Sequence, residues 1–130
     1  IGLKIPGKNY GNPTPMTEEG ILDVIDRFVF TAKIARETGF TGVQFHSAHG
    51  YLLSEFLSPD INNRTDAWGG SIENRARVHL EIINKCRKEV GEDFPISVKL
   101  NSTDFQKGGF TPDESIQVAQ MLENAGVDII

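Results

Sequence analysis

The sequence predicts a parallel α/β fold, and within that class a segment of a (β/α)8 barrel. Three observations carry this. Short apolar runs alternate with amphipathic stretches of helical spacing, an order that implies parallel strands joined by right-handed crossovers. Polar residues gather toward the C-terminal ends of those runs, where barrels of this kind build their sites. The 130 residues fall well short of the roughly 250 that close such a barrel, and the text stops on Val127-Asp128-Ile129-Ile130 with no turn or cap. We therefore expect residues 1–130 to be one partial domain, an interior piece of a larger protein. The rival is a complete small open sheet.

The elements follow in order. Residues 1–15 are loop-like, rich in Gly and Pro. A helix is expected over 17–38: Thr17 can cap it, Glu18 and Glu19 suit its positive end, and Gly39 suits its stop. Ile21, Val24, Ile25, Phe28, Ala32 and Ala35 recur at helical spacing. Residues 41–46 form the first strand, and a long loop runs from Leu52 to Gly70. The second helix runs from Ser71 to about Val90, stopped by Gly91, with Ala76, Leu80, Ile83 and Val90 on its inner face. Phe94–Leu100 is the second strand, with Pro95 at its start, where a missing N–H costs least. The third helix has the clearest start: Thr111 caps, Pro112 takes the first position, and Glu114 completes a capping box. Ile116, Ala119 and Leu122 face inward, Gly126 stops the helix, and a third strand begins at Val127.

Composition removes several classes of function. The net charge of −5 and a pI near 5.1 argue against nucleic acid, since no basic stripe compensates. No apolar run approaches the ~20 residues that cross a bilayer, and no signal-peptide pattern is visible. The single cysteine, Cys86, cannot form an internal disulfide and reads as a packing residue. A soluble, cytoplasmic protein is the expectation, and a homo-oligomer is compatible with it.

Strand parity places the polar groups. Val43 and Phe45 point one way, while Gly42, Gln44 and His46 point the other. Ile96, Val98 and Leu100 share one face of the second strand; Ser97, Lys99 and Asn101 share the opposite one. An unpaired buried Lys99 would cost several kcal/mol or lose its proton. Two partners are open to it: an external anionic or electron-rich group, or an internal carboxylate such as Asp128.

The stretch His46-Ser47-Ala48-His49-Gly50-Tyr51 brings two imidazoles and a phenol within six residues of a strand end. Imidazole N–H groups can hold a carbonyl oxygen and a phenol can deliver a proton, which suits reduction of a polarised alkene. His46 and His49 could instead ligate zinc, but no nearby cysteine or well-spaced third ligand supports a metal; His79 is placed mid-helix, facing solvent. Gly69-Gly70-Ser71 matches no phosphate-binding fingerprint, and the expected roles are a turn and a helix cap. Arg64, Asp66, Glu73 and Arg75 are expected to pin the long loop as an ion-pair network, with Trp68 packing it down.

From Gly39 through Leu53 the sequence resembles the Old Yellow Enzyme family of FMN-dependent, NAD(P)H-using oxidoreductases. The similarity continues through Phe56-Leu57-Ser58-Pro59, Asn63-Arg64-Thr65-Asp66, Gly69-Gly70-Ser71 and Glu73-Asn74-Arg75, and resumes at Ile96–Asn101 and Gly108-Gly109-Phe110-Thr111. The resemblance implies a (β/α)8 TIM barrel with FMN at its mouth, of which this chain spans about the third helix to the sixth strand. It implies that His46 and His49 bind the substrate carbonyl, that Tyr51 is the catalytic proton donor, and that Lys99, with His46, borders the FMN. Lys99 stands where many relatives carry an arginine, so its contact is a point charge, not a planar fork. The implied reductant is NADH or NADPH, and the implied partner a small enone-like molecule. The competing expectation is an isolated, non-catalytic α/β fragment that lacks the FMN phosphate site.

Overall fold

A computed structural model describes residues 14–130. Of the Gly- and Pro-rich loop expected over residues 1–15, residues 1–13 lie outside them. The described chain runs α1 (Glu18–Glu37), β1 (Val43–Ser47), α2 (Leu52–Leu57), α3 (Ile72–Val90), β2 (Ile96–Leu100) and α4 (Pro112–Asn124). β1 and β2 pair in parallel with Val43 opposite Ile96 and Ser47 opposite Leu100. The expected third strand is begun: Ile129 bridges Ser97 in parallel, its carbonyl accepting from the Val98 amide at 2.9 Å.

Each predicted cap is present. Thr17 Oγ1 accepts from the Gly20 amide at 3.1 Å, and Ser71 Oγ accepts from the Asn74 amide at 3.4 Å. Thr111 and Glu114 form the full capping box, with Pro112 opening α4. These side chains satisfy amide groups that a helix start leaves without partners.

Helices α1, α3 and α4 build one layer against one face of the sheet. Ile21, Ile25, Phe45, Ile83, Val90, Ile96, Val98, Val118 and Leu122 meet there as the core. Parity holds as expected: Phe45, Ile96 and Val98 are buried, while Gln44, His46 and Lys99 are exposed on the other face. Cys86 is fully buried, and burial pushes its thiol pKa up to about 12. It is a packing residue with little nucleophilic character.

Four expectations are corrected. The loop after Tyr51 begins with helix α2, because Leu53, Phe56 and Leu57 bury a short apolar face. Ile116 is exposed, and Val118 takes its place on the inner stripe; Ser115 faces back to β2, donating to the Asn101 carbonyl. His79 is buried, not solvent-facing, because α3 is covered on several sides. Finally, among the described residues Glu73 makes no ion pair: the hydroxyl of Ser71 holds its carboxyl pKa down.

Candidate active site

The loop after β1 is anchored from below. Ala48 is buried and its carbonyl accepts from the Tyr51 amide at 3.3 Å. Tyr51 opens α2, and its carbonyl accepts from the Glu55 amide at 2.9 Å and from Ser54 Oγ at 2.8 Å. This turn folds the tyrosine back over the strand end. The His46 and His49 rings stand 5.2 Å apart at 63°, and the His46 and Tyr51 rings 5.3 Å apart at 48°.

Lys99 is the register partner of His46. Neighbours across a parallel ladder project to the same side, so the ammonium and the imidazole share the open face. Asp128 is not its partner. That carboxylate accepts from the Ile96 amide at 2.8 Å and from Arg87 at 2.8 Å, and these two contacts hold its pKa down. Among the described residues Lys99 makes no ion pair. The four side chains selected from sequence are thus brought to one place, all of them exposed.

Beneath them lie residues that the reading of the sequence missed. Ser47 Oγ and His79 Nε2 share a hydrogen bond of 2.6 Å in the core. Burial pulls the His79 pKa from 6.5 to about 4, with the Ala76 backbone one turn back opposing only in part. The imidazole is therefore neutral near pH 7. A cavity of about 10 Å³ beside it is bounded by Phe45, Leu53, Ile82, Ile83, Val98 and Leu122, room for about one water at most. Spacing was the available signal: His79 sits four residues after Arg75 and three before Ile82, both inside.

The loop flanking the site is held by two arginines. Arg64 pairs with Asp66 at 2.5 Å and donates to the Met16 carbonyl at 2.6 Å. The hydrogen bond from Arg64 lowers the Asp66 pKa. Arg75 is buried and donates to the Gly70 carbonyl at 3.0 Å, to the Leu57 carbonyl and to Glu114 on α4. Its carboxylate partner is thus Glu114 of the neighbouring helix, not a member of the expected network. Trp68 is buried, as expected. Gly69-Gly70-Ser71 is a turn and cap: a Cβ on Gly69 would lie 2.5 Å from the Arg64 carbonyl oxygen, and Gly70 has φ +84°. Among the described residues no group of three or more side chains is arranged to hold a metal, and no helix is long and apolar enough to cross a membrane.

The profile of the NADH:flavin oxidoreductase / NADH oxidase family matches residues 4–130. An NADH oxidase of Thermoanaerobacter brockii is 44% identical over 118 residues, which is 91% of this chain and 18% of that protein. A 2-naphthoyl-CoA reductase in complex with 2-naphthoyl-CoA superposes with a TM-score of 0.88 at 46% identity, over 95% of this chain and 19% of the other. An old yellow enzyme homologue from Zymomonas mobilis gives 0.82 at 29% identity, over 92% and 34%. The chain thus spans about a fifth to a third of the length of these proteins. The strand–helix units described above are a partial segment of their TIM barrel. Flavin is the cofactor of this class, with a nicotinamide nucleotide as its partner in the redox couple. A match across nearly every residue, on a segment whose polar strand ends converge as they do here, places the chain in the NADH:flavin oxidoreductase / NADH oxidase family.

Proposed function

We propose that the full-length protein is an FMN-dependent oxidoreductase of the ene-reductase type, using NADH or NADPH to reduce an electron-poor alkene or related acceptor. The observation that carries this reading is the pairing of His46 with Lys99 on the open sheet face, with His49 and Tyr51 folded over the same strand end. The donor set fits a flavin. An ammonium without an ion-pair partner among the described residues suits the electron-rich pyrimidine edge, and it is register-paired with a ring that can donate a hydrogen bond. Lys99 and His46 are the residues of this segment that would border FMN. The phosphate would be held elsewhere, since Gly69 is closed against Arg64 and Ser71 is engaged as a cap.

When bound, FMN would supply the hydride chemistry that links the nicotinamide to the β-carbon of the acceptor. The protein polarises and protonates. The ring N–H groups of His46 and His49 donate to the acceptor's carbonyl oxygen, and they bind it more strongly as negative charge builds there. The Tyr51 hydroxyl gives a proton to the α-carbon. Lys99 contributes a fixed positive charge beside the cofactor. The similarity to the 2-naphthoyl-CoA reductase supports a second reading of the acceptor, as the CoA thioester of an unsaturated or aromatic acid.

Spectroscopy of the purified full-length protein tests the assignment. The expected result is a yellow protein whose visible band bleaches with NADH or NADPH and returns on adding cyclohex-2-enone. A colourless protein that takes up no FMN on reconstitution overturns it.

A further inference from the structure

His49 occupies the left-handed region, with φ +64°. A non-glycine residue enters that region only at a cost, so something must hold it there. The contact that does so comes from the neighbouring strand. The His49 amide donates to Asn101 Oδ1 at 3.0 Å, and Asn101 is the residue immediately after β2, two beyond Lys99. Asn101 is itself fixed from both ends. Its side-chain amide donates to Asp104 Oδ1 at 3.4 Å, and its carbonyl accepts from Ser115 Oγ at 2.9 Å. Asp104 is in turn set by Phe110, whose amide donates to Asp104 Oδ2 at 2.9 Å, while the Asp104 amide donates to the Phe110 carbonyl at 2.9 Å.

We infer that Asn101 is the positioning residue for the His49 imidazole: its side-chain oxygen, carried by the loop between β2 and α4, holds the backbone turn that brings the His49 ring to within 5.2 Å of His46. The inference rests on the proposed function for its catalytic meaning, because it makes the spacing of the two oxygen-binding donors a property of the second strand's loop. Asn101 needs no contact with the acceptor or the flavin. Its side chain acts through the backbone of His49.

The test uses the full-length protein loaded with FMN, the variants Asn101→Ala and Asn101→Asp, and flavin reduced with dithionite. Reoxidation is followed with cyclohex-2-enone and, separately, with dioxygen, which requires no pair of donors to grip a carbonyl. Asn101→Ala is expected to slow reoxidation by the enone by about tenfold or more, since small misplacements of binding groups are costly, and to leave reoxidation by dioxygen within about twofold. Asn101→Asp keeps the accepting oxygen but loses the amide that donates to Asp104, and is expected to recover the enone rate only in part. An unchanged enone rate in Asn101→Ala, or equal slowing with both acceptors, overturns the inference. If the wild-type reduced flavin passes nothing to any alkene, the proposed function fails instead, and the crystal structure of Asn101→Ala decides this point alone. His49 should leave the left-handed region and the two imidazoles should separate; an unmoved turn overturns the assignment.

Discussion

His46 and Lys99 are paired residue against residue across the parallel ladder, so a hydrogen-bond donor and a full positive charge leave the same side of the sheet from adjacent strands. Removing the charge should act on the flavin's electronics more than on substrate binding. Lys99→Met in the full-length protein is expected to make the flavin midpoint potential more negative by about 30 mV or more, where 30 mV corresponds to about 1.4 kcal/mol for two electrons. Lys99→Arg should restore it. Spectroelectrochemical titration checks both, and a potential unchanged in Lys99→Met would remove Lys99 from the cofactor site.

Tyr51 stands 5.3 Å from His46, ring to ring, and is largely exposed. Tyr51→Phe keeps the ring and removes the proton. Reduction of cyclohex-2-enone should fall by about a hundredfold, the ordinary scale of a lost general acid, while bleaching of the flavin by NADH or NADPH continues at its former rate. Stopped-flow measurement of the two half-reactions separates them.

His79 carries a pH dependence of stability. Its folded pKa, about 4, lies below the unfolded value of 6.5, so between these values the unfolded chain binds the extra proton and stability rises with pH. The contribution is fully present above about pH 6.5, is lost as pH falls toward 4, and amounts to at most about 3 kcal/mol. The double variant His79→Leu with Ser47→Ala removes the buried polar pair together and should flatten the profile in that window. Urea unfolding at a series of pH values measures it.

Gly69 and Gly70 should fail differently. Gly69→Ala drives a Cβ to within 2.5 Å of the Arg64 carbonyl, a backbone clash expected to cost about 2 kcal/mol or more. Gly70→Ala meets nothing within 4 Å and strains only the positive φ, for about 1 kcal/mol. Thermal unfolding of the two variants should rank them in that order.

Arg75 spans three elements through its guanidinium. Arg75→Met leaves Glu114 half-buried without its cation, and burial opposes that charge even now. A loss of about 3–5 kcal/mol is expected, read as a lowered urea midpoint.

Local chemistry was legible in the sequence. Thr17, Ser71 and Thr111 announce their caps because a cap is decided within four residues, and strand parity sorted His46 and Lys99 from Phe45 and Val98. What stayed hidden depends on distant neighbours. His79 is written like a surface residue, and its polar partner in the core is Ser47, 32 positions earlier. Arg75 chose Glu114, 39 positions away, over Glu73, two positions from it. Asn101 was placed on the right face, but its hold on His49 follows from the left-handed turn that no local propensity signals for histidine.

His46 and Ser47 are consecutive, yet one faces the open side and the other grips His79 in the core. A slip of the β1 pairing by a single position would exchange them. It would drive a titratable ring into an apolar layer and strand His79 without its hydroxyl. The alignment on which the chemistry depends is thus guarded by the hydrophobic interior, which penalises any mispaired sheet before catalysis is ever tried.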